Sequence, residues 1–188
     1  FGSFSIMTEQ LSPLALQALA IVEESGAIIS ANHAHPHTIR HKGRIDLVTE
    51  TDIAVEAFLK ERLATLTPEA GFLAEESAED LSLPDTCWII DPVDGTTNFA
   101  HGLPLTVTSV AYRLNGEIVL GIVNAPLLRE CFIAEKGKGA WRNGERISVS
   151  SVAACENALV STGFPYEIAR RVDEILERMR PVLSSCQG

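Results

Sequence analysis

Two aspartates three residues apart, in the run Asp91-Pro92-Val93-Asp94-Gly95-Thr96-Thr97, are the strongest chemical signal in the chain. They follow the apolar run 87–90 directly, where a strand gives way to a loop. Pro92 restricts Asp91 to extended geometry and fixes the exit angle of the chain. Both carboxylates, with the Val93 carbonyl between them, can then face one point, and oxygen ligands of this kind suit hard cations such as Mg²⁺, Mn²⁺ or Ca²⁺. Gly95 lets the backbone approach a ligand closely. Successive N–H groups at a helical turn starting at Thr96 can hold phosphate oxygens, and the Thr96 and Thr97 hydroxyls can bind phosphate or orient a water. The plainer alternative is an Asp-Pro turn followed by a capped helix.

Two further acidic segments bear on that choice. Glu75-Glu76-Ser77 closes the apolar run 71–74. If the strands 71–74 and 87–90 are neighbours that end together, Glu75 stands beside Asp91, and the carboxylates are too crowded to remain ionised without a cation. The alternative is a solvated acidic loop, since Glu79 and Asp80 follow. Asp46-Leu47-Val48-Thr49-Glu50-Thr51-Asp52 leads into a helix, where Thr51 or Asp52 can serve as a simple N-cap. His33, His35 and His37 alternate at strand period and could take up Zn²⁺ or Ni²⁺ adventitiously. A solvated histidine loop beside Pro36 accounts for them better, so they stay outside the candidate site.

These residues need elements to hold them. Ser12-Pro13 is a helix start, and Leu14, Ala18, Leu19 and Val22 predict a helix over 12–29. Residues 32–44 read as a loop or irregular hairpin. A second helix starts near Thr51-Asp52, with Val55, Phe58, Leu59, Leu63 and Leu66 in one stripe, and ends at Pro68. Runs 71–74 and 87–90 read as buried strands. Strands 106–114 and 117–124 flank Asn115-Gly116, and 139–142 and 145–149 flank Asn143-Gly144, the dipeptide that favours tight hairpins. Strands are also expected at 129–135 and 157–161. A closing helix over 166–183 carries Ile168, Val172, Ile175, Leu176 and Met179 on one face. Helices first, then mostly antiparallel strands, then a helix predict a layered α/β sandwich without repeats or a second independent domain. Residues 1–6 precede Met7 and read as a remnant outside the fold.

Composition excludes several function classes. With 25 Asp and Glu against 15 Lys and Arg, the formal charge is −10, which is the wrong sign for a nucleic-acid surface. An anionic ligand would need a cation between itself and the protein. The stretch 95–112 is 18 residues without a charged side chain, but Asn98, His101, Pro104 and several threonines make it no membrane span. No secretory pattern opens the chain, and Cys87, Cys131, Cys155 and Cys186 show no compact spacing, so they read as reduced thiols of a cytoplasmic protein.

The segments DLVTETD (46–52), FLAEES (72–77) and WIIDPVDGTTNFAHGLP (88–104) resemble the three N-terminal signatures of the inositol monophosphatase family, in the family's order and at similar intervals. GIVNAP and GKGAWRNG, within 116–149, fit as well. The resemblance implies an αβαβα sandwich of which this chain supplies the N-terminal αβ layers. It implies that Glu75, Asp91 and the Val93 carbonyl bind one Mg²⁺, that Asp91 and Asp94 bind a second, and that Glu75 shares a third, weaker ion. Mn²⁺ would substitute, and Li⁺ and Ca²⁺ would inhibit. Asp94, Gly95 and Thr96 would contact the substrate. Thr96, hydrogen-bonded to Asp52, would act with Glu75 to position and deprotonate the attacking water. Glu76 would support the metal ligands from behind, and the loop around His41 and Lys42 would approach the phosphate.

The implied reaction is in-line hydrolysis of a small phosphomonoester, first of all myo-inositol monophosphate. Thr97-Asn98-Phe99 resembles the inositol branch, whereas branches acting on adenosine bisphosphate often carry Lys after the Gly-Thr pair. A fructose 1,6-bisphosphatase or nucleotide bisphosphatase, or a non-catalytic regulatory member, are the alternatives. The family is about half as long again. It also carries a C-terminal Trp-Asp-x-Ala motif whose aspartate completes the second metal site, while Trp88 and Trp141 are the only tryptophans here. The expectation is therefore an inositol monophosphatase-like domain over 7–188 that lacks the C-terminal part, cytoplasmic and homodimeric like the family.

Overall fold

A computed structural model of the chain describes residues 7, 9–33, 39–41, 47–75, 83–164 and 168–187, with 39–41 and 47–48 described as backbone. The chain divides into two compact units, 1–147 and 148–188.

In the first unit, helix α1 (Pro13–His33) begins where Ser12 Oγ accepts the Ala15 N–H at 3.2 Å. Pro13 occupies the first helical position, where no N–H is needed. Its buried face includes Ala15, Ala18, Leu19, Ile21, Val22 and Ile29. The helix runs past the expected end at 29 because the polar residues that argued for a loop have tertiary partners. Asn32 Nδ2 donates to Thr51 Oγ1 at 3.0 Å, and the His33 ring lies 5.8 Å from that of Phe99. By length and composition α1 could cross a membrane, but its buried apolar residues pack within the core cluster shared with α2 and the sheet, as in the core helix of a globular domain.

Strands β1 (Ile39–His41) and β2 (Leu47–Thr49) pair antiparallel, a hairpin where a loop or hairpin was expected. Helix α2 (Glu50–Leu66) follows at once, with Val55, Leu59 and Leu63 buried. It ends before Pro68, where the Thr67 N–H still reaches Leu63 O at 3.3 Å. Helices α1 and α2 pack together over one mixed sheet.

That sheet has seven strands in sequence order: β3 (Gly71–Ala74), β4 (Cys87–Asp94), β5 (Val107–Leu114), β6 (Glu117–Ala125), β7 (Glu130–Glu135), β8 (Gly139–Arg142) and β9 (Glu145–Ile147). Only β3 and β4 run parallel. Both Asn-Gly hairpins form as read: Asn115 and Gly116 have φ of 52° and 84°, Asn143 and Gly144 50° and 81°, the pair of positive values that matches the strand twist. Trp88, fully buried on β4, donates through Nε1 to Thr67 Oγ1 at 2.8 Å and lies 4.5 Å from the Tyr112 ring. The result is the mixed α/β fold expected from the order of elements, with helices α1 and α2 on the sheet.

In the second unit, short 3₁₀ turns at Cys155–Asn157 and Ile168–Arg170 precede helix α4 (Val172–Ser185); the short helix α3 (Thr96–Ala100) lies in the first unit. Two expectations need correction here. The strand at 157–161 reduces to a single parallel bridge between Leu159 and Gln187, because no neighbouring strand among the described residues offers a ladder. The closing helix starts at Val172 and runs to Ser185, and none of its residues is buried; Val172 and Leu176 remain exposed.

One long-range contact fixes the start of α1. The Ser12 N–H donates to Glu135 Oε2 at 2.8 Å, and Lys138 Nζ lies 3.0 Å from Glu135 Oε1. Burial pushes the Glu135 carboxyl up, but the Ser12 bonds and Lys138 outweigh it and hold it below its ordinary value. A depressed carboxylate contributes stability above its unfolded pKa and loses it as pH falls through the folded one. Glu135→Gln should therefore lower stability by about 1 kcal/mol near neutrality. In urea unfolding the gap to the parent should close as the pH is taken from 6 to about 3. A gap unchanged across that range would show that the charge is not what matters.

Candidate functional site

The pairing of β3 with β4 brings the first two carboxylates together. Parallel register aligns Ala74 with Ile90, the Glu75 N–H donates to Ile90 O at 3.2 Å, and so the two strands deliver Glu75 and Asp91 at the same edge. Asp91 feels them all. Burial first, then the charges of Glu75 and Asp94, a hydrogen bond with Glu75 and the charge of Asp52 push its carboxyl up to about 7. Asp91 Oδ1 is buried and has no hydrogen-bond partner among the described residues. The four expected carboxylates, on three separate segments, thus share one neighbourhood. Among the described residues no three His, Cys, Asp or Glu side chains already form a metal cage.

The strand carrying Asp91 and Asp94 is irregular. Asp91 faces Ser109 and Asp94 faces Val107 on β5, with the register shifting between them, so Pro92 and Val93 together oppose Thr108. The displaced carbonyls are held by side chains: Thr108 Oγ1 donates to Pro92 O at 2.9 Å and Thr106 Oγ1 to Asp94 O at 3.0 Å. Both threonines are buried. Neither is among the residues expected at the site from sequence, although two threonines at strand spacing, Thr106 and Thr108, were the available signal.

Gly95 follows with φ of 90° and ψ of 34°, and begins the short helix α3 (Thr96–Ala100). A Cβ at that position would lie 2.7 Å from Leu105 O, so the turn needs glycine twice over, for conformation and for space. Asn98 Nδ2 donates to the same Leu105 carbonyl at 2.8 Å, and buried Phe99 anchors the turn from beneath.

Asp52 completes the arrangement from α2. The N-cap of that helix is Thr49, not Thr51 or Asp52 as expected from sequence: Asp52 sits at the third helical position and reaches back in a capping box. Its Oδ2 accepts the Thr49 N–H at 2.9 Å and the Thr49 hydroxyl. Its Oδ1 lies 3.1 Å from Thr96 Oγ1, which is also 2.9 Å from Val93 O. The one hydroxyl proton of Thr96 is directed at these two acceptors, which leaves oxygen lone pairs to accept from a third group. Val93 contributes its carbonyl to this cluster while its side chain is buried. Asp46, Glu76, Lys42, His35, His37 and the His41 side chain lie outside the described residues.

A carboxylate with an orphaned buried oxygen, ringed by further carboxylates and a carbonyl, is rich in acceptors and poor in donors. That donor set fits a hard divalent cation. The model of one protein family, described as the inositol monophosphatase family, matches residues 10–186. The chain belongs to the inositol monophosphatase family. Its relatives include an inositol monophosphatase of Dictyostelium discoideum, 43% identical over 166 residues, covering 86% of this chain and 60% of that protein. A Thermotoga maritima protein named fructose-1,6-bisphosphatase/inositol-1-monophosphatase is 36% identical, covering 86% of this chain and 62% of its own length. The chain thus spans about three fifths of the length of these inositol monophosphatase relatives.

Solved structures agree on the fold. The extragenic suppressor protein suhB of Bartonella henselae superposes with a TM-score of 0.86 at 31% identity, over 94% of this chain and 68% of that one. A Staphylococcal inositol monophosphatase, solved as an inhibitory complex soaked in LiCl, gives 0.71 at 25% identity, over 84% and 61%.

The capping box can be tested apart from any activity. Asp52→Asn replaces one acceptor oxygen by an amide donor that faces donors. It should cost about 1–3 kcal/mol in urea unfolding, whereas Thr96→Ser, which keeps the hydroxyl, should stay within about 0.5 kcal/mol. Equal effects of the two would disconnect Asp52 from the hydrogen bonds assigned to it.

Proposed function

We propose that this protein hydrolyses a small phosphomonoester with the help of Mg²⁺, and that myo-inositol monophosphate is its preferred substrate. The observation that carries the reading is Asp91, held at about 7 among Glu75, Asp94 and Asp52 with one oxygen orphaned. Names of the relatives support the substrate class. Glu75, Asp91, Asp94 and the Val93 carbonyl would hold the ions, with Mn²⁺ as a substitute. The bound cation supplies Lewis acidity that makes water a nucleophile near neutral pH and offsets charge on the leaving alkoxide.

The remaining work falls to the chain's own groups. The Thr96 hydroxyl, donating toward Asp52 and Val93 O, is free to accept from a water through its oxygen. Glu75 is the base that takes the water's proton. Gly95 and Thr96 offer backbone N–H groups to the phosphate, and Gly95, lacking a Cβ, lets it come close. The protein mainly positions reacting groups and compensates charge. Li⁺ and Ca²⁺ are expected to inhibit, and the protein to act as a cytoplasmic homodimer; both expectations come from the family resemblance.

A second reading, a regulatory or binding member that keeps the scaffold without turnover, draws on the suppressor-protein relative. A third is a bisphosphatase, on the name of the Thermotoga relative. Turnover of myo-inositol monophosphate, fructose 1,6-bisphosphate and a nucleotide bisphosphate at equal concentration with Mg²⁺ separates them. The first reading expects the inositol ester to lead. Asp91→Asn should reduce phosphate release at least a hundredfold, roughly, and should weaken Mn²⁺ binding measured by electron paramagnetic resonance. Turnover retained in that variant would remove Asp91 from the metal site. Metal binding without turnover of any ester would favour the regulatory reading.

A further inference from the structure

The four cysteines fall into two pairs of different character. Cys87 and Cys131 are buried in the sheet. Burial pushes both thiols up, with Arg113 opposing it at Cys87, and takes Cys131 to about 12. A thiol in that condition carries almost no thiolate and does not react. The other two lie in the second unit, where Cys155 is exposed and Cys186 half-buried.

The backbone brings these two together and holds them. Cys155 opens the 3₁₀ turn Cys155–Asn157, whose carbonyl accepts the Ala158 N–H at 3.0 Å. Cys186 ends α4, its N–H donating to Val182 O at 2.9 Å. Gln187 then joins the two segments: its N–H donates to Ala158 O at 2.8 Å and its carbonyl accepts the Val160 N–H at 3.2 Å. Its side-chain amide donates to Glu156 O at 3.0 Å. Each cysteine therefore stands next to a residue in this clasp. Burial first, then the neighbouring Cys155 thiol, raises Cys186. Nothing in the expected phosphatase chemistry uses either residue.

We propose that Cys155 and Cys186 form a reversible intramolecular disulfide that locks the end of α4 to the turn at Cys155–Asn157. With glutathione disulfide as oxidant, the exposed Cys155 thiolate attacks one glutathione sulfur and expels a glutathione thiolate. Cys186, as thiolate, then attacks the Cys155 sulfur of that mixed disulfide and expels the second glutathione. Two thiols are oxidised, one glutathione disulfide is reduced, and the two protons end on two molecules of glutathione. Because the Gln187 clasp holds the two cysteine segments together, the second step is intramolecular and is favoured over the mixed disulfide. The inference is independent of the phosphatase reading.

The test uses the full 188-residue chain incubated with glutathione disulfide, blocked with iodoacetamide in denaturant, digested and analysed by mass spectrometry. The expected result is one linked peptide pair joining Cys155 to Cys186, lighter by two hydrogens and removed by dithiothreitol, with Cys87 and Cys131 alkylated. Titratable thiols in denaturant should fall from four to two. Non-reducing electrophoresis should show a monomer. Cys155→Ser and Cys186→Ser should each abolish the link and leave glutathione on the remaining thiol of the pair. Mixed disulfides alone in the parent chain, a linked dimer, or a link to Cys87 or Cys131 would each overturn the proposal.

Discussion

Crowding of like charge around Asp91 is the constraint on which the rest of the first unit turns. Carboxylates repel one another most where water is partly excluded, and an isolated chain would relieve the strain by moving them apart. Here each is positioned by a separate element of the fold. Glu75 is delivered by the parallel register of β3 on β4, Asp94 by a carbonyl tied to Thr106, and Asp52 by its capping box at the start of α2. The helices, the sheet and the turn after β4 each supply one wall of a place that none would form alone. Backbone held this firmly by its surroundings is what allows an unfavourable cluster to persist.

The capping box shows how one residue can meet a local and a distant demand together. For α2, Asp52 answers the unpaired N–H of Thr49, as helix starts generally require. That bond uses Oδ2, and Oδ1 is left to turn toward Thr96 on α3. The orientation of the Thr96 hydroxyl is thus inherited from a helix N-terminus far away in sequence. Asn32 on α1 contributes as well, since its bond to Thr51 holds the first turn of α2 against α1.

How much of this could be read in the sequence depended on whether the signal was local. The Asn-Gly turns were legible because Asn115 and Asn143, each followed by glycine, carry their conformation with them. Glu75 beside Asp91 followed from two short apolar runs, each closed by a carboxylate. The sequence alone ends α1 too early, because Asn32 and His33 read as loop residues in isolation, whereas in the fold Thr51 and Phe99 lie against them. Thr49 was passed over as the cap because three candidates stand within four positions, and only the direction of the Asp52 side chain decides among them. The strand expected at 157–161 failed for a related reason: β-propensity cannot supply a partner, and Leu159 found only Gln187.

The least legible feature is also the one that brings the two central aspartates to the same side. Along a regular strand successive side chains alternate, so residues three apart point to opposite faces. Asp91 and Asp94 are three apart, yet Asp91 feels the charge of Asp94. The bulge resolves this. Between Asp91 and Asp94 the strand takes three steps while β5 takes two, from Ser109 to Val107, and the extra residue shifts the alternation by one. Proline suits that position because the residue displaced from the ladder would otherwise leave an N–H without a partner, and Pro92 has none to leave. Its carbonyl, pushed out of register by the same shift, is recovered by Thr108. The sequence Asp-Pro-Val-Asp therefore encodes a change of phase in the strand, and the convergence of the carboxylates follows from that change.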